Sequence, residues 1–427
     1  MKRKALTDLL LRLLLPLFLF ATLMDSCTGR EERPAVDASA AEAELAEDGE
    51  PEASGSFTLI AVGDNLYHNV LFRANAEGVR DFTPYYASVK PLVQSADIAF
   101  VNQETVFAGT AAGFSGYPRF NTPFEAGLAL IDSGFNVVSH ANNHAMDKGE
   151  SGVLSTMDYW EQHPEITVLG IHRSQEARDK PSLVEANGVK VGFLSYTYGT
   201  NGLPVPAKKP YLVSLIDTDV MEQEISALRP HCDFLVVSMH WGNEYEHTPT
   251  ARQKELAAFL AEFGVDLVIA HHPHVLQPME FLPRQDGGWT LVVYSLGNFL
   301  SAQRNNNRLL GGMLYLRARK IDGLLSSLFE RDALLQYLKS RKTDGTVLIE
   351  KAGIIPLVTH YDSEFDNFGV YPLYDYTEEL ASTHRNRVNS GLGFSSIGVD
   401  YFRKLAASVL GKSLIEGDPF APSALAD

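Results

Sequence analysis

Between residues 57 and 297 the chain repeats one pattern: a short apolar run that breaks off in a cluster of polar residues. The runs are FTLIAVG (57–63), ADIAFVN (96–102), FNVVSHA (135–141), ITVLGI (166–171), KVGFLSYT (190–197), FLVVSMH (234–240), VDLVIAH (265–271) and TLVVYSLG (290–297). Each is rich in Val, Ile and Phe and bounded by polar residues or Gly, the pattern of buried strands. Amphipathic stretches lie between them. One (123–134) ends in Gly134, one (217–230) opens on Asp217 as a cap and stops at Pro230, and one (248–264) starts at Thr248–Pro249 and stops at Gly264. These are helix start and stop signals. The alternation predicts an α/β protein with central sheets and covering helices. Asn187–Gly188 is a hairpin turn signal, so at least one strand pair is antiparallel.

After about residue 315 the pattern weakens. Residues 318–342 read as helical, and 345–362 as one or two strands. Aromatics at 365, 368, 371 and 374 are interrupted by Gly and Pro, which favours a covering loop. The expected organisation is a domain over 55–315 and a C-terminal subdomain or flap, 316–427, packed on it.

The N-terminus reads differently. MKRK is a basic opening, and the 12-residue apolar run at 13–24 is too short for an ordinary membrane span. Cys27 follows at once. Residues 1–27 thus resemble a bacterial lipoprotein signal, with Cys27 acylated as the mature N-terminus. Asp25 departs from the small uncharged residue usual two places before that Cys; a signal anchor and plain secretion are the alternatives. All three put the globular part outside the cytoplasm, and the first anchors it to a bacterial membrane. Residues 28–54 hold nine acids and two basic residues and no aromatic, so they read as a disordered acidic linker. They carry −7 of the chain's formal −17. Such acidity excludes electrostatic nucleic-acid binding and suits cations. The other cysteine, Cys232, flanks an apolar run and reads as a buried, inert thiol.

The polar clusters carry the chemistry. Successive runs end in Asp64 and His68; Asn102 and Glu104; His140, Asn142, Asn143, His144 and Asp147; His240, Glu244 and His247; His271, His272 and His274; and Asn298. In open α/β sheets, sites lie beyond the carboxyl ends of the strands. Taken singly, each has an ordinary reading. Asp64 is a cap, Glu104 a surface carboxylate, Asn142–Asn143 a turn and His240 a packed histidine. His272–Pro273–His274 is more specific, because Pro fixes the backbone and two imidazoles two apart point to the same side. Together they form a mixed oxygen and nitrogen donor set suited to Mn, Fe or Zn, with Ni also compatible. The absence of Cys and the wide spacing argue against a small structural zinc site.

The blocks AVGD, NQET, SHANNHAMDKG, the run from His240 to Glu280, and YSLGNF occur in this order. They resemble the poly-gamma-glutamate capsule synthesis family (CapA), within the calcineurin-like metallophosphoesterase superfamily, over residues 57–300. The resemblance implies a two-sheet sandwich flanked by helices and a centre of two divalent metal ions. It implies Asp64, Glu104, Asn143, His240, His272 and His274 as ligands, with Glu104 bridging. His144 would be the general acid, or would steady the leaving oxygen, and Asp147 would orient His144. Departures are Leu66 where the superfamily has His, with His68 as a candidate replacement; Glu104 where Asp is usual; and Ala270 where Gly is common. His271, on the other side of its strand from His272, reads as structural.

The expected function is a membrane-tethered, metal-dependent hydrolase in capsule or envelope polymer metabolism. It would act through metal-activated water on a phosphoester or related bond. Expected partners are an anionic, poly-gamma-glutamate-like polymer or phosphoester substrate and capsule-synthesis membrane proteins. A non-catalytic accessory protein for synthesis or export of the polymer is the alternative, and a structural metal protein a third. Arg119 reads as a solvated loop charge and, secondarily, as a contact for an anionic substrate.

Overall fold

The computed structural model describes residues 55–73, 78–321, 346–388 and 397–421. The expected signal peptide with Asp25 and Cys27, the acidic linker, and all of the expected helix beyond Ile321 lie outside the described residues.

Two sheets form the body. In chain order their strands are β1 (Ser56–Asn65), β2 (Ile98–Gln103), β3 (Val137–Ser139), β4 (Thr167–Leu169), β5 (Leu183–Ala186), β6 (Val189–Thr197), β7 (Phe234–His240), β8 (Leu267–His271), β9 (Met279–Pro283), β10 (Trp289–Val293), β11 (Asn298–Leu300), β12 (Leu310–Ile321), β13 (Thr346–His360) and β14 (Gly369–Pro372). The first sheet runs β14-β13-β12-β1-β2-β3-β4, with β11 also paired to β1; the second runs β5-β6-β7-β8-β10-β9. Strands β1 to β4 are mutually parallel, as are β6, β7, β8 and β10. Their carboxyl ends are the places where the apolar runs stop.

The longer helices are α1 (Glu125–Ser133), α2 (Gly149–Trp160), α3 (Thr218–Leu228), α4 (Ala251–Glu262) and α5 (Val399–Leu410). Asp217 caps α3, accepting from the backbone N–H groups of Asp219 and Val220. Thr250 and Gln253 form a reciprocal capping box on α4, and Gly134 ends α1 at φ 103°.

The apolar runs are continuous because these strands are covered on both faces. In β7, Phe234 and Val236 join the core shared with β1 and β2, while Leu235, Val237 and Met239 pack with Met221 and Ile225 of α3 and Leu256 and Leu260 of α4. β8 and β10 alternate in the same way. Burial of each such side chain contributes roughly 1.5–3 kcal/mol. Asn187 (φ 49°) and Gly188 (φ 80°) form the left-handed turn that joins β5 and β6 antiparallel.

The C-terminal boundary is corrected. A break after residue 315 would cut β12, which runs unbroken to Ile321 and pairs along its length with β13. Residues 346–372 therefore widen the first sheet instead of forming a separate flap. Residues 318–321, read as helical, belong to β12, and 345–362 supply the single strand β13. Phe365 and Phe368 do lie in a loop, packed on Tyr361 with ring centroids 5.2 and 5.1 Å away, but Tyr371 falls in β14. Cys232 is half-buried, and burial pushes its thiol up.

Two histidines in this region tie stability to pH. His360 and His384 are buried with rings 5.3 Å apart. Burial pushes His360 down to about 4, and burial together with neighbouring His360 pushes His384 down to about 3, from an ordinary 6.5. The unfolded chain therefore takes up protons that the folded one refuses. Stability is complete above pH 6.5 and falls as pH drops toward the folded values, by about 1.4 kcal/mol per pH unit for each histidine. Urea unfolding of chelator-treated protein is expected to give a lower midpoint at pH 5 than at pH 7. His360→Phe is expected to make that slope shallower.

Candidate metal centre

The carboxyl ends of β1, β2, β3, β7 and β8 meet where the two sheets come together. There Ser139 Oγ at the end of β3 lies 2.7 Å from Ser195 Oγ of β6. β1 reaches this point by a close backbone crossing. Asp64 N–H donates to Gly297 O at 2.8 Å, and a Cβ on Gly63 would stand 1.9 Å from that same oxygen. Only glycine fits at 63, so the Gly before Asp64 fixes where its carboxylate sits.

Asp64 and Glu104 are fully buried. Asp64 Oδ1 accepts from Asn102 Nδ2 at 2.9 Å, and Oδ2 accepts from His274 Nδ1 at 2.9 Å and the His272 backbone N–H at 3.3 Å. Burial pushes the Asp64 carboxyl up, but the hydrogen bond and charge of His274, then His271 and Asn102, outweigh it and leave it below its ordinary value. Glu104 is the opposite case. Neither of its oxygens has a hydrogen-bond partner among the described residues, and burial, then the charges of Asp64, Glu244 and Asp147, hold its carboxyl well above the usual range. His240 Nε2 stands 3.6 Å and His274 Nε2 3.8 Å from Glu104 Oε1. His240 Nε2 also lies 3.1 Å from Asn143 Oδ1.

The result is two donor clusters with one member in common: Glu104 with His240 and His272, and Glu104 with Asp64 and His274, each set of ligand atoms lying within 4.8 Å of one another. Both are able to hold a metal ion. Glu104 Oε1 and Oε2 and His272 Nδ1 are buried polar atoms without a partner, a state that a cation between them would relieve. Burial, together with neighbouring imidazoles, holds His240 well below its usual range and His272 at about 4, so both present neutral nitrogen lone pairs. Oxygen and imidazole donors without thiolate suit Mn, Fe or Zn.

All six expected ligands meet here, though not by the expected route. β8 ends at His271, and His272 (φ 96°) and His274 (φ 57°) both take left-handed backbone, so a strained turn and not strand alternation makes their rings converge. His271 is buried, stacks on Phe100 and has Nδ1 3.6 Å from Asp64 Oδ1, outside both clusters. His68 is in neither cluster. Its Nδ1 lies 3.2 Å from Leu66 O.

His144 stands beside the clusters. Its Nδ1–H donates to Asp147 Oδ2 at 2.8 Å, and the same oxygen accepts the Phe120 N–H at 2.7 Å. The Phe120 ring meets the His144 ring edge-on at 4.7 Å. Tyr198, half-exposed, covers His272 at 4.6 Å between centroids. Neither aromatic is marked in the sequence, since each sits in a loop with no motif around it. Arg119 is exposed, with its backbone carbonyl held by Ser115. Among the described residues no helix is long and apolar enough to cross a membrane.

Relatives of known name align with somewhat under half of this chain. PGA biosynthesis protein CapA of Bacillus subtilis (strain 168) is 37% identical over 188 residues, 43% of this chain and 47% of that protein. Capsule biosynthesis protein CapA of Bacillus anthracis is 31% identical over 182 residues, 41% of this chain and 42% of that protein. The matched part of the chain thus spans about half the length of these curated relatives. A crystal structure of a hypothetical protein from Thermus thermophilus aligns over 70% of this chain and 98% of its own, with TM-score 0.39 and 12% identity. A family model described as bacterial capsule synthesis protein PGA_cap matches residues 58–303. With more than half of its length matched, the chain belongs to the bacterial capsule synthesis protein PGA_cap family.

Proposed function

We propose that this chain is a metal-dependent hydrolase of capsule or cell-envelope polymer metabolism, tethered outside the cytoplasm through lipidated Cys27. The observation that carries this reading is Glu104, a fully buried carboxylate with both oxygens unpaired, shared by two ligand clusters. A purely structural site needs neither the sharing nor an acid–base pair beside it.

Asp64 and His274 would hold one divalent ion and His240, His272 and Asn143 the other, with Glu104 between them. Bound there, the two ions supply Lewis acidity that activates water and neutralises charge on the reacting oxygens. The chain does the rest. His144, its Nδ1 fixed by Asp147, would use Nε2 to protonate a leaving oxygen. Asn102 keeps one Asp64 oxygen occupied, so the other carries the contact to His274. Tyr198 over His272 shields one side of the centre. The substrate is a phosphoester or related bond on an anionic, poly-gamma-glutamate-like polymer, and capsule-synthesis membrane proteins are the expected partners. The acidity of the chain supports metals as the bridge between an acidic protein and an acidic polymer.

The test is elemental analysis of residues 55–427 with phosphodiester and poly-gamma-glutamate turnover on the same samples. About two ions per chain with turnover on either substrate is the expected result. Metal without turnover on both would transfer the reading to an accessory protein that binds the polymer. No metal in folded, metal-supplemented protein would overturn it.

A further inference from the structure

We propose that Arg308 is the anion-recognising residue of this centre, taking a carboxylate or phosphate of the substrate on a guanidinium held flat against Tyr245. The proposal rests on the substrate reading above and names the group that selects for charge.

Tyr245 follows β7 and is tied to the metal-binding turn. Its N–H donates to Pro273 O at 2.7 Å, its ring centroid lies 6.0 Å from that of His274, and its φ is 70°. Left-handed backbone in a bulky residue is costly and persists where surroundings enforce it. Arg308 Cζ sits 3.3 Å from the centroid of the Tyr245 ring. The guanidinium is therefore one aromatic ring away from His274, packed as Arg packs on aromatic faces.

The backbone beneath Arg308 is equally fixed. Its N–H donates to Asn305 O at 2.9 Å, and its carbonyl accepts from Asn298 Nδ2 at 2.9 Å. Asn298 is the register partner of Asp64 in the β1–β11 pairing. The loop before it is braced from the C-terminal region: Tyr361 OH donates to Gln303 O at 2.9 Å, and Asn386 Nδ2 donates to Arg304 O at 2.6 Å and Asn306 Oδ1 at 2.8 Å. The C-terminal region thus has a local task, which is to hold this loop against the metal centre.

Among the described residues, what the guanidinium lacks is an acid. Arg178 pairs with Glu224, and Arg229 and Arg284 both pair with Asp266. Arg308 is half-buried, its Nε is buried without an acceptor, and no Asp or Glu among the described residues comes within ion-pair distance of it. In a chain of formal charge −17, a cation packed against an aromatic ring next to the metal-binding turn, its Nε without an acceptor among the described residues, is a receptor for an oxyanion from outside. The planar fork donates to two oxygens of a carboxylate or phosphate at once. Arg308 also lies beyond residue 303, where the family match ends, so the match does not assign it.

The experiment is calorimetric titration of metal-loaded wild type, R308Q and R308K with inorganic phosphate and with a γ-linked glutamate oligomer, elemental content being measured on each. R308Q is expected to keep its metals and its melting temperature and to bind the preferred anion roughly tenfold to hundredfold more weakly. R308K, a charge without the fork, is expected to fall between. Loss on the oligomer alone assigns a carboxylate, loss on phosphate alone a phosphoryl group, and loss on both a general oxyanion site. R308Q that binds both ligands as tightly as wild type overturns the proposal, as does metal-loaded wild type that binds neither while its metal centre stands. Wild type without metal overturns the centre instead, and Arg308 is then judged by the same titrations on the metal-free protein.

Discussion

Glu104→Gln is expected to cost the protein both metals while leaving it folded. The substitution keeps the shape of a side chain that is fully buried and removes the charge that both clusters share. Without a cation, Glu104 is an expensive group. Burial and the nearby carboxylates hold it well above the usual carboxyl range, which favours the protonated, uncharged form. Gln resembles that form, so the metal-free variant is expected to melt at or above metal-free wild type. The difference shows when metal is added. An ion at a hundred times its dissociation constant stabilises the folded state by about 2.7 kcal/mol, which at ~2.1 cal/mol/K per residue over about 370 residues raises the melting temperature by roughly 3–4 °C. Wild type should show that rise with Mn²⁺ or Zn²⁺, and Glu104→Gln should not. Elemental analysis should fall from about two ions per chain to less than one. If the variant keeps both ions, Glu104 is not the bridge and the two clusters are independent. If chelated wild type unfolds, the metals are structural.

The reason this site is legible in sequence is that its residues sit at the ends of strands that are buried on both faces. In β7 and β8 the apolar run and the strand stop at the same residue, His240 and His271, because the next residues must face the site and not the core. Sequence reasoning fails where that logic does not apply. α2 carries Gly149 and Gly152 and three hydroxyl residues in its twelve positions, a weak local helix signal overridden by burial of Val153, Tyr159 and Trp160. β11 has three residues and exists because the crossing at Gly63 and Gly297 brings it to β1. The C-terminal boundary is misplaced because antiparallel additions to a sheet edge leave no mark at the point where one structural unit is expected to end. Spacing alone puts His272 and His274 together for the wrong geometric reason, since it cannot tell a left-handed turn from an extended one. Arg308 is invisible because its meaning depends on Tyr245, 63 positions earlier, and on having no acidic partner among the described residues.

His144→Ala should separate chemistry from metal binding. No His144 nitrogen belongs to either donor cluster, so the variant is expected to hold as much metal as wild type. Turnover is a different matter. Removing a positioned general acid lowers kcat by roughly 10²–10⁴, the more so the more basic the leaving oxygen. A substrate with a good leaving group, such as a nitrophenyl ester, should therefore suffer less than an alkyl ester, and that ratio is the signature of a lost proton donor. Asp147 sharpens the test. One of its oxygens holds both the His144 ring and the Phe120 backbone N–H. Asp147→Asn keeps an oxygen for both donors and loses only the charge, whereas Asp147→Ala releases the ring and leaves the Phe120 N–H buried without an acceptor. The Asn variant is thus expected to retain more activity than the Ala variant, with equal metal in both. A His144→Ala protein that turns over both esters at the wild-type rate would remove His144 from the reaction. One that loses a metal would make it a ligand, and the proton would then have to come from elsewhere in the centre.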